Sequence, residues 1–81
     1  MNNNGDQFQN KLEEIEIDLL LEGIYRYYGF DFRNYTLPFL HRRIWNRIRA
    51  EKISSISGLQ ERILHDPFVM KKLFNDFSIN V

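Results

Sequence analysis

Residues 36–52, TLPFLHRRIWNRIRAEK, decide how the rest of the chain is read. Leu37, Leu40, Ile44 and Ile48 recur at three- and four-residue spacing, which places them on one face of an α-helix. Thr36 stands before the run as an N-cap, and Pro38 sits in the first turn, where a missing N–H costs nothing. With successive residues about 100° apart, Arg42 and Arg49 share one flank and Arg43 and Arg47 the other. Trp45 falls between the apolar stripe and the Arg42/Arg49 flank, while Phe39 points away from the stripe. An outward Phe among arginines suggests a docking surface. The alternative is a solvated face whose arginine stems merely cover apolar surface.

Working outward, the same periodicity gives three more helices. Ile17, Leu20, Leu21, Ile24, Tyr27 and Tyr28 define a first helix from about Glu13 to Tyr28, and Gly29 suits a left-handed cap at its end. Ser57 and Gln60 form a capping box that opens a short third helix, with Leu59, Ile63 and Leu64 on its buried side. Asp66 as N-cap and Pro67 as first residue start a fourth, whose apolar face is Val69, Met70, Leu73, Phe74 and Phe77. No strand pair is visible. The expected fold is all-α, a small four-helix bundle with short loops. Residues 1–12 read as a disordered polar tail, 13–79 as the helical domain and 80–81 as the start of a linker.

An 81-residue chain that is 43% hydrophobic is one small domain, and its seven Phe, four Tyr and one Trp help it build a core. It has no cysteine, which excludes a disulfide framework and a cysteine zinc site. No apolar run approaches the roughly 18 residues that span a bilayer, and the N-terminus lacks the pattern of a signal peptide. Direct membrane insertion is therefore not expected, and a cytoplasmic location is.

The net charge of zero conceals a division. Residues 1–31 carry two cations and seven acids, 2 − 7 = −5, whereas residues 32–52 carry six cations and one acid, 6 − 1 = +5. Asp18 and Glu22 lie opposite the apolar face of the first helix, so they are not expected to reach the arginines of the second; Glu22 instead favours a local pair with Arg26. A basic helix is also a candidate nucleic-acid surface, but the zero net charge and the acidic first helix argue against a nucleic-acid partner.

Catalytic patterns are missing. Gly5, Gly23, Gly29 and Gly58 are too far apart for a cofactor loop, with Gly23 read as permitting close helix contact. His41 and His65 have no carboxylates at a recurring metal-ligand spacing. His41 reads as a partly buried structural residue at the edge of the core and His65 as a favourable partner of a helix C-terminus. No serine is placed as a nucleophile. Catalytic, cofactor-binding and metal residues are thus all expected to be absent from this stretch, which reads as a binding or accessory domain.

Three blocks in order, YYGFDFRNY, LPFLHRRIWNRIRAEKISSI and FNDFSINV, resemble the N-terminal helical domain of CheR-type protein-glutamate O-methyltransferases. The resemblance rests on Gly29, Phe30 and Asp31, on Tyr35, on the paired Arg42 and Arg43 with Arg47 four residues later, and on the closing Phe77, Ser78, Ile79 and Asn80. It covers about residues 15–81; Leu59 stands where the family often has Tyr. It implies a fragment that stops ahead of an α/β catalytic domain, in which S-adenosylmethionine would supply a methyl group to glutamates of a chemotaxis-type signalling protein. It also implies that the basic helix docks acidic methylation helices of a receptor, or faces the chain's own C-terminal catalytic domain. Arg42, Arg43, Arg47 and Arg49, with Trp45 and Phe39, are the residues expected at that contact. A purely structural role, packing on the catalytic domain, is the alternative.

Overall fold

The computed structural model describes residues 4–78, with side chains from residue 10 onward. Four helices follow one another: α1 (Asn4–Tyr28), α2 (Leu37–Ala50), α3 (Ile56–His65) and α4 (Pro67–Ser78). No strand occurs among the described residues. Helix α1 packs chiefly on α3 and α2 chiefly on α4, with α3 and α4 also in contact.

The helix ends carry their local signals. Thr36 Oγ1 accepts from the N–H of Phe39 at 3.4 Å, capping α2 as expected. Asp66 does the same for α4, accepting from Phe68 N–H at 3.0 Å. Gly29, with φ +85°, closes α1 in the left-handed region, and its N–H reaches the Tyr25 carbonyl at 3.0 Å.

Helix α3 departs from the expected start. Its N-cap is Ser55, whose hydroxyl accepts from Gly58 N–H at 3.0 Å, and not Ser57. Ser57 lies inside the first turn and donates instead to Glu16 of α1 at 3.0 Å. The earlier start lets Ile56 join the core, fully buried beside Leu59 and Ile63. Helix α1 begins at Asn4, ahead of the expected start near Glu13. Residues 1–3 and 79–81, including the expected linker start at 80–81, lie outside the described residues.

The core draws on every helix: Ile17, Leu20, Leu21 and Ile24 from α1, Leu40, Ile44 and Ile48 from α2, the α3 triplet above, and Val69, Met70, Leu73 and Phe77 from α4. Each fully buried aliphatic side chain of this kind contributes about 1.5–3 kcal/mol. Phe32, from the loop between α1 and α2, is buried with them, its ring 4.8 Å from that of Phe77.

Three residues assigned to the apolar faces are exposed: Tyr27, Leu37 and Phe74. Tyr27 is in the last turn of α1 and Leu37 in the first turn of α2, and α1 and α2 approach each other only sparingly. Leu64 is half-buried and lies where a methyl group on Gly23 would meet it at 3.7 Å, an ordinary contact across the α1–α3 junction. Gly23 therefore sits at a helix contact, as expected, but the space there would accept an alanine.

Candidate docking surface on the second helix

The four arginines of α2 have four different environments. Arg47 is the most enclosed, with its side chain 19% exposed. Its Nε donates to Asp76 Oδ2 at 2.8 Å and its second terminal nitrogen to Asp76 Oδ1 at 3.0 Å, a bidentate fork. Its remaining nitrogen donates to Glu51 at 3.1 Å. Hydrogen bonding to Asp76 holds the Arg47 guanidinium above its ordinary pKa, against the opposing effect of burial.

Glu51 ends α2, where a carboxylate faces the negative end of the helix dipole. Three cations compensate: Arg47 at 3.1 Å, Lys72 at 3.4 Å and Arg62 at 3.8 Å. The acids that neutralise Arg47 thus come from the end of its own helix and from α4.

Phe39 and Arg43 form a second arrangement. Phe39 does not point outward as read from the sequence; it is half-buried against the core, stacked on Tyr35 with ring centroids 4.8 Å apart. The loop bearing Phe32 and Tyr35 folds over the start of α2 and covers this side, which helical periodicity cannot show. The Arg43 guanidinium carbon lies 4.1 Å above the Phe39 ring, a cation–π contact. Arg43 makes no ion pair among the described residues, and its Nε is shielded without an acceptor.

Arg42 and Arg49 remain on the solvent side. Arg49 donates to the side-chain oxygen of Asn46 at 2.7 Å, a neutral partner. Neither arginine has an acidic partner among the described residues. Trp45 is half-buried against the core, and its indole nitrogen is shielded with no acceptor. The result is a face centred on Arg42 and Arg49, bounded by Arg43 and Trp45, with Arg47 withdrawn into the fold.

His41 belongs to the surface rather than to the edge of the core. Its Nε2 lies 3.1 Å from Glu13 Oε1, joining α2 to α1. The expected pair of Glu22 with Arg26 is present at 3.5 Å. Arg33, counted in the sequence only among the six cations of residues 32–52, completes that cluster: it forks onto Asp31 at 2.9 and 3.0 Å, approaches Glu22 at 3.5 Å and lies 4.2 Å from the Tyr25 ring centroid. The Arg33 side chain and backbone N–H pull the Asp31 carboxyl down to about 2.

A separate apolar groove lies at the far side of α4, lined by Tyr28, Phe30, Pro67, Met70 and Phe74. Phe30 and Phe74 meet there edge to face at 4.9 Å. Among the described residues no group of three or more His, Asp or Glu side chains is placed to hold a metal ion. No helix among them is long and apolar enough to cross a membrane.

The chain is 44% identical over 68 residues to a Pseudomonas putida (strain KT2440) protein provisionally named methyltransferase Cher3. That match takes in 84% of this chain and 25% of the relative, so the chain spans about a quarter of the relative's length. No solved structure matches it. The sequence model of the CheR methyltransferase all-alpha domain matches residues 15–78, the stretch that forms the four-helix core, and the chain belongs to that family.

Proposed function

We propose that this domain is the substrate-docking part of an S-adenosylmethionine-dependent methyltransferase acting on glutamate side chains of a cytoplasmic chemotaxis-type signalling protein. The observation that carries this reading is the exposure of Arg42 and Arg49 on one side of α2 without an acidic partner among the described residues. Such guanidiniums steer and orient an acidic partner. An acceptor helix with several carboxylates presents the complementary charge. Arg43, held over Phe39, and Trp45 frame the same face.

The described residues do not fit S-adenosylmethionine itself. A nucleoside cofactor needs a glycine-rich turn that brings backbone amides against it, whereas Gly23 sits at a helix contact and Gly29 caps α1. When bound elsewhere in the parent, the cofactor would supply the methyl group. The residues here would only bind and orient the acceptor.

In the full-length enzyme, Arg42→Glu with Arg49→Glu is expected to slow methylation of the acceptor protein at least ten-fold at sub-saturating acceptor, a change of about 1.4 kcal/mol in transition-state stabilisation. Cofactor affinity, measured by calorimetry, stays the same. Unchanged methylation kinetics would reject the docking role.

One observation favours the second reading, a structural domain packed on the rest of the parent. The groove of Tyr28, Phe30, Met70 and Phe74 is apolar and open, and Phe68 beside Pro67 is 74% exposed. That surface does not overlap the arginine face, so an interdomain contact there and acceptor docking on α2 are compatible.

A further inference from the structure

The outer side of α3 and the turn before it enclose a cavity of about 560 Å³ that shares no residue with the α2 face or the apolar groove. Gly58, Glu61, Arg62 and His65 line it from α3, at positions i, i+3, i+4 and i+7 of one helix face. That face is turned about 140° from the buried Ile56, Leu59 and Ile63, at 100° per residue. Lys52, Ile53 and Ser54 form the facing wall. Gly58 holds the two walls close: a methyl group there would meet Ile53 Cγ2 at 2.7 Å. The cations of this cavity are free or nearly so. Lys52 and His65 make no ion pair among the described residues. Arg62 reaches Glu51 only at 3.8 Å, and Glu51 already holds Arg47 at 3.1 Å and Lys72 at 3.4 Å. Lys52 stands at this wall with φ 60°, a backbone region that side chains other than glycine's avoid.

We propose that this cavity binds a small sugar phosphate, with the phosphate group among Lys52, Arg62 and His65. A guanidinium fork and an ammonium are the side chains that hold phosphate oxygens, one by geometry and the other as a point charge. The Ser54 hydroxyl adds a neutral donor at the same wall. Glu61 is the single acid in the lining. It disfavours a bare anion, but it accepts hydrogen bonds from hydroxyl groups on the rest of the ligand. Ile53 alone of the lining residues has an apolar side chain, so the cavity offers no stacking or greasy wall for a nucleobase or an acyl chain. A hydroxylated body is what remains. The volume lies within the ~300–1,000 Å³ of small-molecule sites. Few contacts in a cavity open to solvent correspond to a dissociation constant of about 1 mM. The site lies on a different helix from the arginine face and does not depend on the function proposed for that face.

The test titrates the 81-residue chain with ribose 5-phosphate, inorganic phosphate and ribose, followed by amide NMR shifts at physiological salt. Ribose 5-phosphate is expected to saturate, with shifts confined to the turn before α3 and to α3 itself. Inorganic phosphate binds several-fold more weakly, and ribose not at all. Arg62→Ala weakens ribose 5-phosphate about ten-fold. The Arg62 side chain is 47% exposed, so circular dichroism should show the fold unchanged. Glu61→Gln tightens inorganic phosphate and narrows the advantage of the sugar phosphate over it. Arg42→Glu leaves every affinity unchanged. No saturation by about 10 mM, equal binding of ribose 5-phosphate and inorganic phosphate, or indifference to Arg62→Ala would each overturn the proposal.

Discussion

At the scale of single residues, identical side chains on one helix perform different work. Arg47 and Arg42 are five positions apart, yet Arg47 is bonded to two carboxylates while Arg42 faces solvent. Removing Arg47 leaves Asp76, itself only 20% exposed at its side chain, without its cation. Arg47→Ala is therefore expected to lower stability by about 1–3 kcal/mol, read as a drop in the chemical-denaturation midpoint. Arg42→Ala should stay within about 0.5 kcal/mol of the parent. Adding Asp76→Ala to Arg47→Ala should recover part of the loss, since the unpaired acid is then gone. Equal effects from Arg42 and Arg47 would show that the fork on Asp76 contributes nothing. Glu51 stands four residues from Arg47, a spacing that a helix alone brings within reach. Asp76, 29 residues away, was not, because no local rule connects α2 to α4.

At the scale of elements, the helix ends repay attention. The periodicity and caps placed α2 and α4 closely: Thr36, Pro38, Asp66 and Pro67 each occupy the position their chemistry favours. Helix α2 ends less comfortably. Lys52 has φ 60°, its N–H reaches the Arg49 carbonyl at 3.1 Å and the Ile53 N–H reaches the Ile48 carbonyl at 3.0 Å. This is a Schellman turn with lysine in the left-handed position usually held by glycine. Lys52→Gly should thus stabilise the domain by about 1 kcal/mol, seen as a higher thermal midpoint. A lower midpoint would mean that the lysine stem contributes more packing than its backbone conformation costs. The start of α3 escaped the sequence because Ser55 and Ser57 are equally good caps by type. Ser55 is the cap because that frame buries Ile56 and leaves Ser57 free to reach Glu16.

At the scale of the whole molecule, α1 and α3 are joined by a hydrogen bond that depends on three distant sequence features. The Ile63 carbonyl would ordinarily receive the N–H four residues on, but residue 67 is proline and has none. The Tyr28 hydroxyl donates to that carbonyl instead, at 2.6 Å. Tyr28→Phe is expected to cost about 1–2 kcal/mol by leaving the carbonyl unsatisfied. Burial first, then the neighbouring Tyr27 and Asp66, raises the Tyr28 phenol above its ordinary 10.0. A raised folded-state value means that the neutral form is favoured in the fold. The contribution is complete below pH ~10 and is lost as pH rises through the higher folded value. Denaturation midpoints of the parent and Tyr28→Phe should therefore differ at pH 8 and converge above that range, with phenolate absorbance marking the transition. A constant difference across the range would reject the assignment.

The sequence alone determined the helical class, the four elements and most of the core, because a 3.6-residue apolar period and its caps are local properties of the chain. It also marked α2 as the basic helix and carried the three blocks by which the family was recognised. Only the tertiary structure decided which arginine is available. Asp76 takes up Arg47, the Phe32–Tyr35 loop covers Phe39, and Leu12, Ile15 and Leu19 are left without cover. These outcomes depend on which helices meet and at what height, and a periodicity measured along one helix contains no record of its neighbours.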